Sequence, residues 1–379
     1  MARTNSVNFT GANQFPIASA GTDIFKKEDV QVATKSLDLH THGAGLGAPV
    51  DVSALAAGAI DGSKLTDNTV TSAKIADGTI VAADIADAGI TNAKLGPDVA
   101  RANLLTNGGF EIWQRGNGPL STNGQYTCDR FALSLVGTDT LSVSRDTANV
   151  DIGSTYCAAC TFTLGTGAGG TAWYQPLGPD QPQLKGRTLS ASVRIKTATA
   201  NAVRLNFYTN GTGGAMVSSA YHSGSGAYQT LTVTNSIPSD ATTFNFAIGF
   251  AASCVAYIDN AMLVVGSQPA NYAPLHPADD LARCLRYYEI LGEGAGEIAV
   301  TGYQAAGQPI DATLSYHVRK AVTPTITKNG AWGVLNCGQP GTNGGYVNSV
   351  VLRITATASG TTSAVNNAGG ANVTIEANP

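Results

Sequence analysis

The chain has 379 residues, a formal net charge of −4 and only 13% charged side chains, against about 25% in ordinary soluble domains. That balance leaves no basic patch for nucleic acid. There is also no uninterrupted apolar run of about 18 residues to span a membrane, and the opening MARTNSVNFT lacks an apolar signal core. The expectation is therefore a protein that neither binds nucleic acid, nor inserts in a membrane, nor leaves the cell by Sec export. Its 44 glycines, with threonine, serine, alanine and asparagine throughout, are a strand-and-turn vocabulary, and the length allows two or three domains.

Residues 1–36 form a polar leader ending in Lys26, Lys27, Glu28 and Asp29, too small to hold a core and so expected to be held by another protein. Residues 37–50 follow as a collar carrying His40 and His42, then flexible glycines and Pro49. On extended backbone, residues i and i+2 face the same side, so the two imidazoles project together. In a trimer, six imidazoles would ring one axis in two layers, which suits an octahedral transition ion such as iron. Without a trimer they are two exposed loop histidines.

Across residues 51–100, eight aliphatics recur at an unbroken spacing of five: Ile60, Leu65, Val70, Ile75, Ile80, Ile85, Ile90 and Leu95. Five steps of about 100° leave them roughly 140° apart on a helix, and an odd period alternates faces on a strand. The spacing predicts extended segments broken by a kink or turn every five or ten residues, at dipeptides such as Asp61-Gly62, Asp67-Asn68, Asp77-Gly78 and Ala88-Gly89. Eight buried aliphatics cannot offset the cost of ordering this backbone in one chain, whereas several chains along a common axis could bury each against its copies. The stretch reads as the shaft of a homo-oligomeric fibre. A pentapeptide-repeat β-solenoid is the competing reading, supported by small residues two before each aliphatic. Only Asp84, however, supplies the acid or amide expected just before one, and the stretch would make barely two coils.

Residues 101–278 change texture to alternating strand runs, among them Thr188–Ile195, Val203–Tyr208, Phe244–Phe250 and Tyr257–Val265, separated by glycine-rich turns. They predict an antiparallel β-sandwich of the jelly-roll kind. Six cysteines are too dilute for a disulfide scaffold, and Cys157 and Cys160 in a strand-like context read as small buried thiols. A helical patch over 278–289, with Leu281, Cys284, Leu285 and Tyr288 at helical spacing, looks like a hinge into a small C-terminal β-domain, residues 279–379. The fold class is thus all-β, an elongated homotrimeric fibre with a repetitive shaft, a jelly-roll body and a terminal tip.

Three stretches carry a resemblance: Asn103 to Gly116 (NLLTNGGFEIWQRG), Tyr126 to Phe131 (YTCDRF) and Arg283 to Glu289 (RCLRYYE). With the histidine pair and the shaft repeat, they resemble the tail fibre and receptor-binding proteins of tailed bacteriophages over about residues 37–290. His317 to Thr325 (HVRKAVTPT) is similar more weakly, and residues 1–36 match nothing in that family. The resemblance implies a homotrimeric virion protein, made in the bacterial cytoplasm and acting at the host surface. Its amino end would dock on a tail or baseplate protein, and its carboxyl end would meet a host glycan or outer-surface protein. The opening NLLTNGGFE and closing Tyr257-Ile-Asp259-Asn also look like the outer strands of carbohydrate-binding modules. That likeness implies a structural calcium with Glu111 and Asp259 as ligands. Otherwise Glu111 pairs with Arg115 or faces solvent.

A polysaccharide-cleaving fibre would need two carboxylates about 5–10 Å apart in a cleft. The acids of the body are scattered singly between strands, and no GxSxG or HExxH motif is present. Binding is therefore expected over catalysis, with a tail-borne depolymerase as one alternative. A baseplate or collar component that touches only virion proteins is another. Sugar faces stack on exposed aromatics. The candidates are Trp173, Tyr174, Tyr221, His222 and Tyr228 in the body, and Tyr303, Trp332 and Tyr346 in the terminal domain. The terminal domain is expected to make first contact.

Overall fold

A computed structural model describes residues 63, 65–86, 89–90, 94, 96, 101–167, 170–178, 181–366 and 370–379. The histidine pair, Ile60 and Leu95 lie outside these residues. The chain divides into two compact units, residues 1–84 and 85–379.

In the first unit the backbone repeats every ten residues while the aliphatics repeat every five. Turns at Asp67-Asn68 and Asp77-Gly78 alternate with single 3-10 turns at Ser72–Lys74 and Ala82–Asp84. Asn68 and Gly78 supply the positive φ (62° and 76°) that each turn requires. Short local bonds close the repeat: Thr69 N–H to Thr66 O, Thr79 N–H to Ala76 O, Lys74 N–H to Thr71 O and Asp84 N–H to Val81 O. The linkers between turns are thus tight helical turns, where extended segments were expected. Every described aliphatic of this unit points to solvent: Leu65 is 42% exposed, Val70 52%, Ile75 40% and Ile80 58%. In the second unit Ile85 and Ile90 are exposed to a similar degree. A solenoid buries such residues within its own coils, and here one chain buries none of the described six.

The second unit opens with two five-stranded antiparallel sheets. One has the order β1-β4-β9-β6-β7, built from Ala132–Ser134, Ala172–Pro176, Phe244–Phe250, Val203–Thr209 and Met216–Ser218. The other is β2-β3-β10-β5-β8, built from Thr140–Asp146, Cys157–Thr163, Cys254–Val265, Thr188–Thr197 and Tyr228–Ser236. Alternation drives the layering. Along β5, Leu189, Ala191, Val193 and Ile195 enter the core, which sends Ser190, Ser192, Arg194 and Lys196 to the outer face. Phe110, Phe131, Trp173 and Phe246 pack as an aromatic cluster with ring centroids 4.7–6.2 Å apart. All six cysteines are free and buried.

The NLLTNGGFE stretch is stitched onto β10. Leu104 N–H donates to Leu263 O and Ala261 N–H to Gly108 O, while the Asn103 side chain donates to Ala261 O and accepts from Leu263 N–H. A bulge in β10 between Asp259 and Met262, with Asn260 at φ 50°, makes room for this crossing.

Helix α1, Pro277–Leu285, ends earlier than its periodicity suggests, because Tyr288 and Glu289 pair in register with Glu376 and Ile375. It is no free hinge. Asp280 accepts from Asn107 N–H at 3.0 Å, and Arg283 donates to Asn103 O at 2.9 Å. The remaining described strands form three three-stranded sheets: Tyr288–Leu291, Val373–Glu376 and Thr325–Lys328 in one, Ala299–Gln304, Gly360–Val365 and Gly333–Leu335 in the second, and Pro309–Ser315, Ser349–Thr355 and Gly341–Gly345 in the third, each named in spatial order. Their shared core holds Val350, Leu352, Ile354, Val373, Ile375 and Trp332. No helix among the described residues is long and apolar enough to cross a membrane.

The stretches that carry the family resemblance meet at the contact between the sandwich and this terminal domain. Arg115 pairs with buried Asp129 and with Glu376, and its guanidinium lies 3.8 Å from the Tyr288 ring centre. Arg130 lies 3.9 Å from the Tyr287 ring centre and donates to Pro176 O and Asn378. Lys320, from HVRKAVTPT, is fully buried against Glu289 and donates to Leu285 O at the end of α1.

Candidate functional site

A cleft of about 420 Å³ opens on the outer face of the β2-β3-β10-β5-β8 sheet. Its floor is Ser192 and Arg194 of β5 with Thr230 of β8, side chains sent outward by the same alternation that fills the core. The Asp151–Gly153 turn supplies residues on one side and Asn271, Tyr272 and Pro274, beyond β10, supply others. Ser154 N–H donates to Asp151 O and Gly153 takes φ 85°, which leaves Ile152 93% exposed.

The polar groups of the cleft hold one another. Arg194 donates to both Asp151 oxygens, from Nε at 2.7 Å and Nη2 at 3.1 Å, and from Nη1 to Thr230 Oγ1 at 3.2 Å. Asn260 Nδ2 donates to Asp151 Oδ2 at 3.2 Å. Burial opposes the Asp151 charge, yet the bonds from Arg194 and Asn260 outweigh it and keep the carboxyl below its ordinary range. The bond to Asp151 in turn raises Arg194.

Asp259 sits fully buried beside the cleft, accepting from Asp151 N–H (2.9 Å), Ser154 Oγ (2.9 Å) and Asn260 N–H (2.8 Å). Burial dominates there and lifts its carboxyl to about 6. Glu111 accepts from Thr155 N–H at 2.7 Å and Tyr156 N–H at 3.3 Å. The two residues implied as calcium ligands thus brace the 151–156 turn by accepting from N–H and O–H donors. Those donors engage both Asp259 oxygens and Glu111 Oε1, which leaves Glu111 Oε2 as the one carboxylate oxygen of the pair outside these bonds, a poor set for calcium. Among the described residues no three His, Cys, Asp or Glu side chains gather as a metal set.

The aromatic candidates divide sharply. Trp173 is fully buried, with its indole N–H on Thr127 Oγ1 at 2.8 Å, and belongs to the sandwich core. His222 is likewise buried: Nδ1 accepts from Gly224 N–H and Nε2 meets Ala227 O, so its own glycine-rich turn encloses it. Trp332 is 3% exposed in the terminal core, its N–H on Asn329 O. None of these three offers a face to a sugar. Tyr228 is half-buried beside the cleft, 5.6 Å from the Arg194 guanidinium, with its hydroxyl on Asn149 O.

Tyr174 and Tyr221 are half-buried and belong to the other sheet's side of the sandwich. Tyr174 pairs in register with Ala247, and the Tyr221 ring lies 4.8 Å from Arg204. There, too, Asn206 Oδ1 is buried with no partner among the described residues. Among the candidates, Tyr303, 79% exposed, and Tyr346, 58% exposed, present open faces, both in the terminal domain. The cleft's own polar set, Asp151, Arg194, Thr230 and Asn260, escaped the sequence reading. The alternating Ser192-x-Arg194-x-Lys196 in an otherwise apolar strand was its one legible signal.

The sequence matches no protein-family model and no curated protein. Several solved structures share partial likeness. The enzymatically active domain of bacteriophage CBA120 tailspike protein 4 is 13% identical, with a TM-score of 0.31, covering 43% of this chain and 21% of that one. The C-terminal family 22 carbohydrate-binding module of Clostridium thermocellum Xyn10B is 14% identical, with a TM-score of 0.28, covering 44% of this chain and all of that one. A cyclase from Fischerella sp. TAU is 14% identical, with a TM-score of 0.31, covering 45% of this chain and 98% of that one. A binding module, a phage enzyme domain and a cyclase share so little with this chain that they assign it no activity, ligand or family.

Proposed function

We propose that this chain is a homotrimeric phage tail fibre that attaches the virion to a host surface receptor, a glycan in the first instance. The observation that carries the reading is the ladder of aliphatics, 40–58% exposed on a backbone that repeats every ten residues. Regular local structure with no interior of its own is what a segment needs if identical copies supply that interior. Residues 1–36 dock on a tail or baseplate protein, and His40 and His42 would hold a transition ion on the trimer axis. The β-sandwich and terminal domain carry the receptor contacts, with Tyr303 and Tyr346 as the open aromatic faces. Trimeric display multiplies weak single-site contacts through effective concentration.

Free protein should block adsorption of the phage to its host, and retention on cells should occur without shortening of the surface polysaccharide. Failure to block favours a baseplate or collar role. A depolymerase has one observation in its favour: Asp151 and Asp259 are neighbours whose surroundings push their protonation in opposite directions. Against it, Asp259 is fully buried and its oxygens are already engaged, so it cannot reach a glycosidic bond. Shortened chains after incubation with host polysaccharide would reverse that judgement.

A further inference from the structure

The cleft beside Arg194 has the makings of a ligand site, and its charge arithmetic limits what it can hold. Arg194 and Asp151 are the two charged side chains that line it, and they neutralise each other through two hydrogen bonds. An anionic ligand would have to displace Asp151 from Arg194, and a cationic one would have to displace Arg194 from Asp151. Either exchange leaves a largely buried carboxylate or a guanidinium without its partner, an unfavourable trade. The remaining polar side chains of the lining are neutral.

We infer that this cleft binds a short segment of uncharged glycan, with the Asp151–Arg194 pair, Asn260 and Thr230 reading its hydroxyls and Ile152 and Tyr272 supplying apolar contact. The inference rests on the proposed role as a glycan binder and names the sugar class and the site. Sugar hydroxyls both donate and accept, and so does this array. The Asp151 oxygens retain lone pairs, and Thr230, which accepts from Arg194, keeps its own hydroxyl proton to donate. Each polar group is fixed by another before any ligand arrives, so little side-chain freedom is lost on binding. The volume falls in the range of about 300–1,000 Å³ usual for small-molecule sites. Ile152, held 93% exposed at the tip of a turn, has no partner in the core that explains an isoleucine there.

The test uses the full chain and calorimetry with neutral hexasaccharides (xylo-, malto- and mannohexaose) and acidic hexagalacturonate as probes. At least one neutral probe should bind, with affinity changing less than about twofold up to roughly 0.5 M salt. The double variant Ile152→Ser/Thr230→Val should weaken it at least about tenfold. Both positions are exposed and Val suits a strand, so an unchanged melting transition verifies the fold of the variant. Preference for the acidic probe with affinity falling in salt overturns the inference. Neutral binding that the variant leaves intact overturns the site alone and leaves the glycan reading standing. Absence of binding to every probe, together with adsorption to cells stripped of surface polysaccharide, removes both.

Discussion

Arg115 donates from Nη2 to both carboxylate oxygens of Glu376, at 2.8 and 3.0 Å, and so joins the start of the sandwich to the last strand of the terminal domain. The same guanidinium pairs with Asp129 at 3.3 Å and lies over Tyr288. One side chain therefore ties together all three stretches behind the family resemblance at the junction of the sandwich and the terminal domain.

Arg115→Ala should destabilise the chain by roughly 3–5 kcal/mol, because it strands Asp129, which is 1% exposed, without a cation. Glu376 is partly exposed and contributes less. Arg115→Lys should recover little of the loss, since lysine cannot reproduce the two-pronged, ring-stacked geometry. Calorimetry should show the terminal domain melting separately from the sandwich in both variants.

Glu289 and Lys320 form a second buried pair at the junction, 1% and 0% exposed. Burial lowers the Lys320 ammonium against the pull of Glu289, so the lysine depends on that carboxylate for its charge. Lys320→Met alone should cost about 3–5 kcal/mol in denaturant unfolding, and Glu289→Gln/Lys320→Met together should cost less than that single change.

Asp259 gives the sandwich a pH signature. Its carboxyl is raised in the fold, to about 6 from the ordinary 3.8, so the folded state binds the proton more tightly than the unfolded chain. Its contribution is therefore complete below about 3.8 and lost as pH rises through about 6, a change on the order of 1–3 kcal/mol. Melting temperatures measured between pH 4 and pH 7 should show this slope; Asp259→Asn should reduce it and leave the share of Asp129, whose carboxyl burial also raises to about 6.

The paired glycines of NGGFE are required by close approach. A Cβ on Gly108 would lie 2.4 Å from the backbone oxygen of Ala261, and one on Gly109 would lie 2.4 Å from the Tyr272 hydroxyl. Gly108→Ala should cost at least about 2 kcal/mol because backbone must move, and Gly109→Ala less because a tyrosine can swing away. Thermal melts of the two variants should rank in that order.

Much of the sandwich was legible because β5, β6, β8 and β9 alternate cleanly, and one-residue parity decides which face each side chain takes. The same parity separates Trp173, which enters the core, from its neighbour Tyr174, which does not. That choice could not be read until the strand's core face was known. His222 stood in a glycine- and serine-rich stretch that reads as exposed, and the turn instead folds around both ring nitrogens. The cleft was hidden for a different reason. Asp151, Arg194, Thr230, Asn260 and Tyr272 become neighbours only through the pairing of β5 with β8 and β10, and strand register over such separations leaves no local trace.

Everything proposed for the shaft depends on copies of the chain supplying the interior that one copy lacks, and native mass spectrometry of the intact protein weighs that claim directly. The account predicts an assembly of three times the 38.6 kDa chain mass, lost when residues 37–100 are removed or when Ile75→Asp and Ile80→Asp are combined. A particle of one chain mass in which the aliphatic ladder is nonetheless ordered would contradict it.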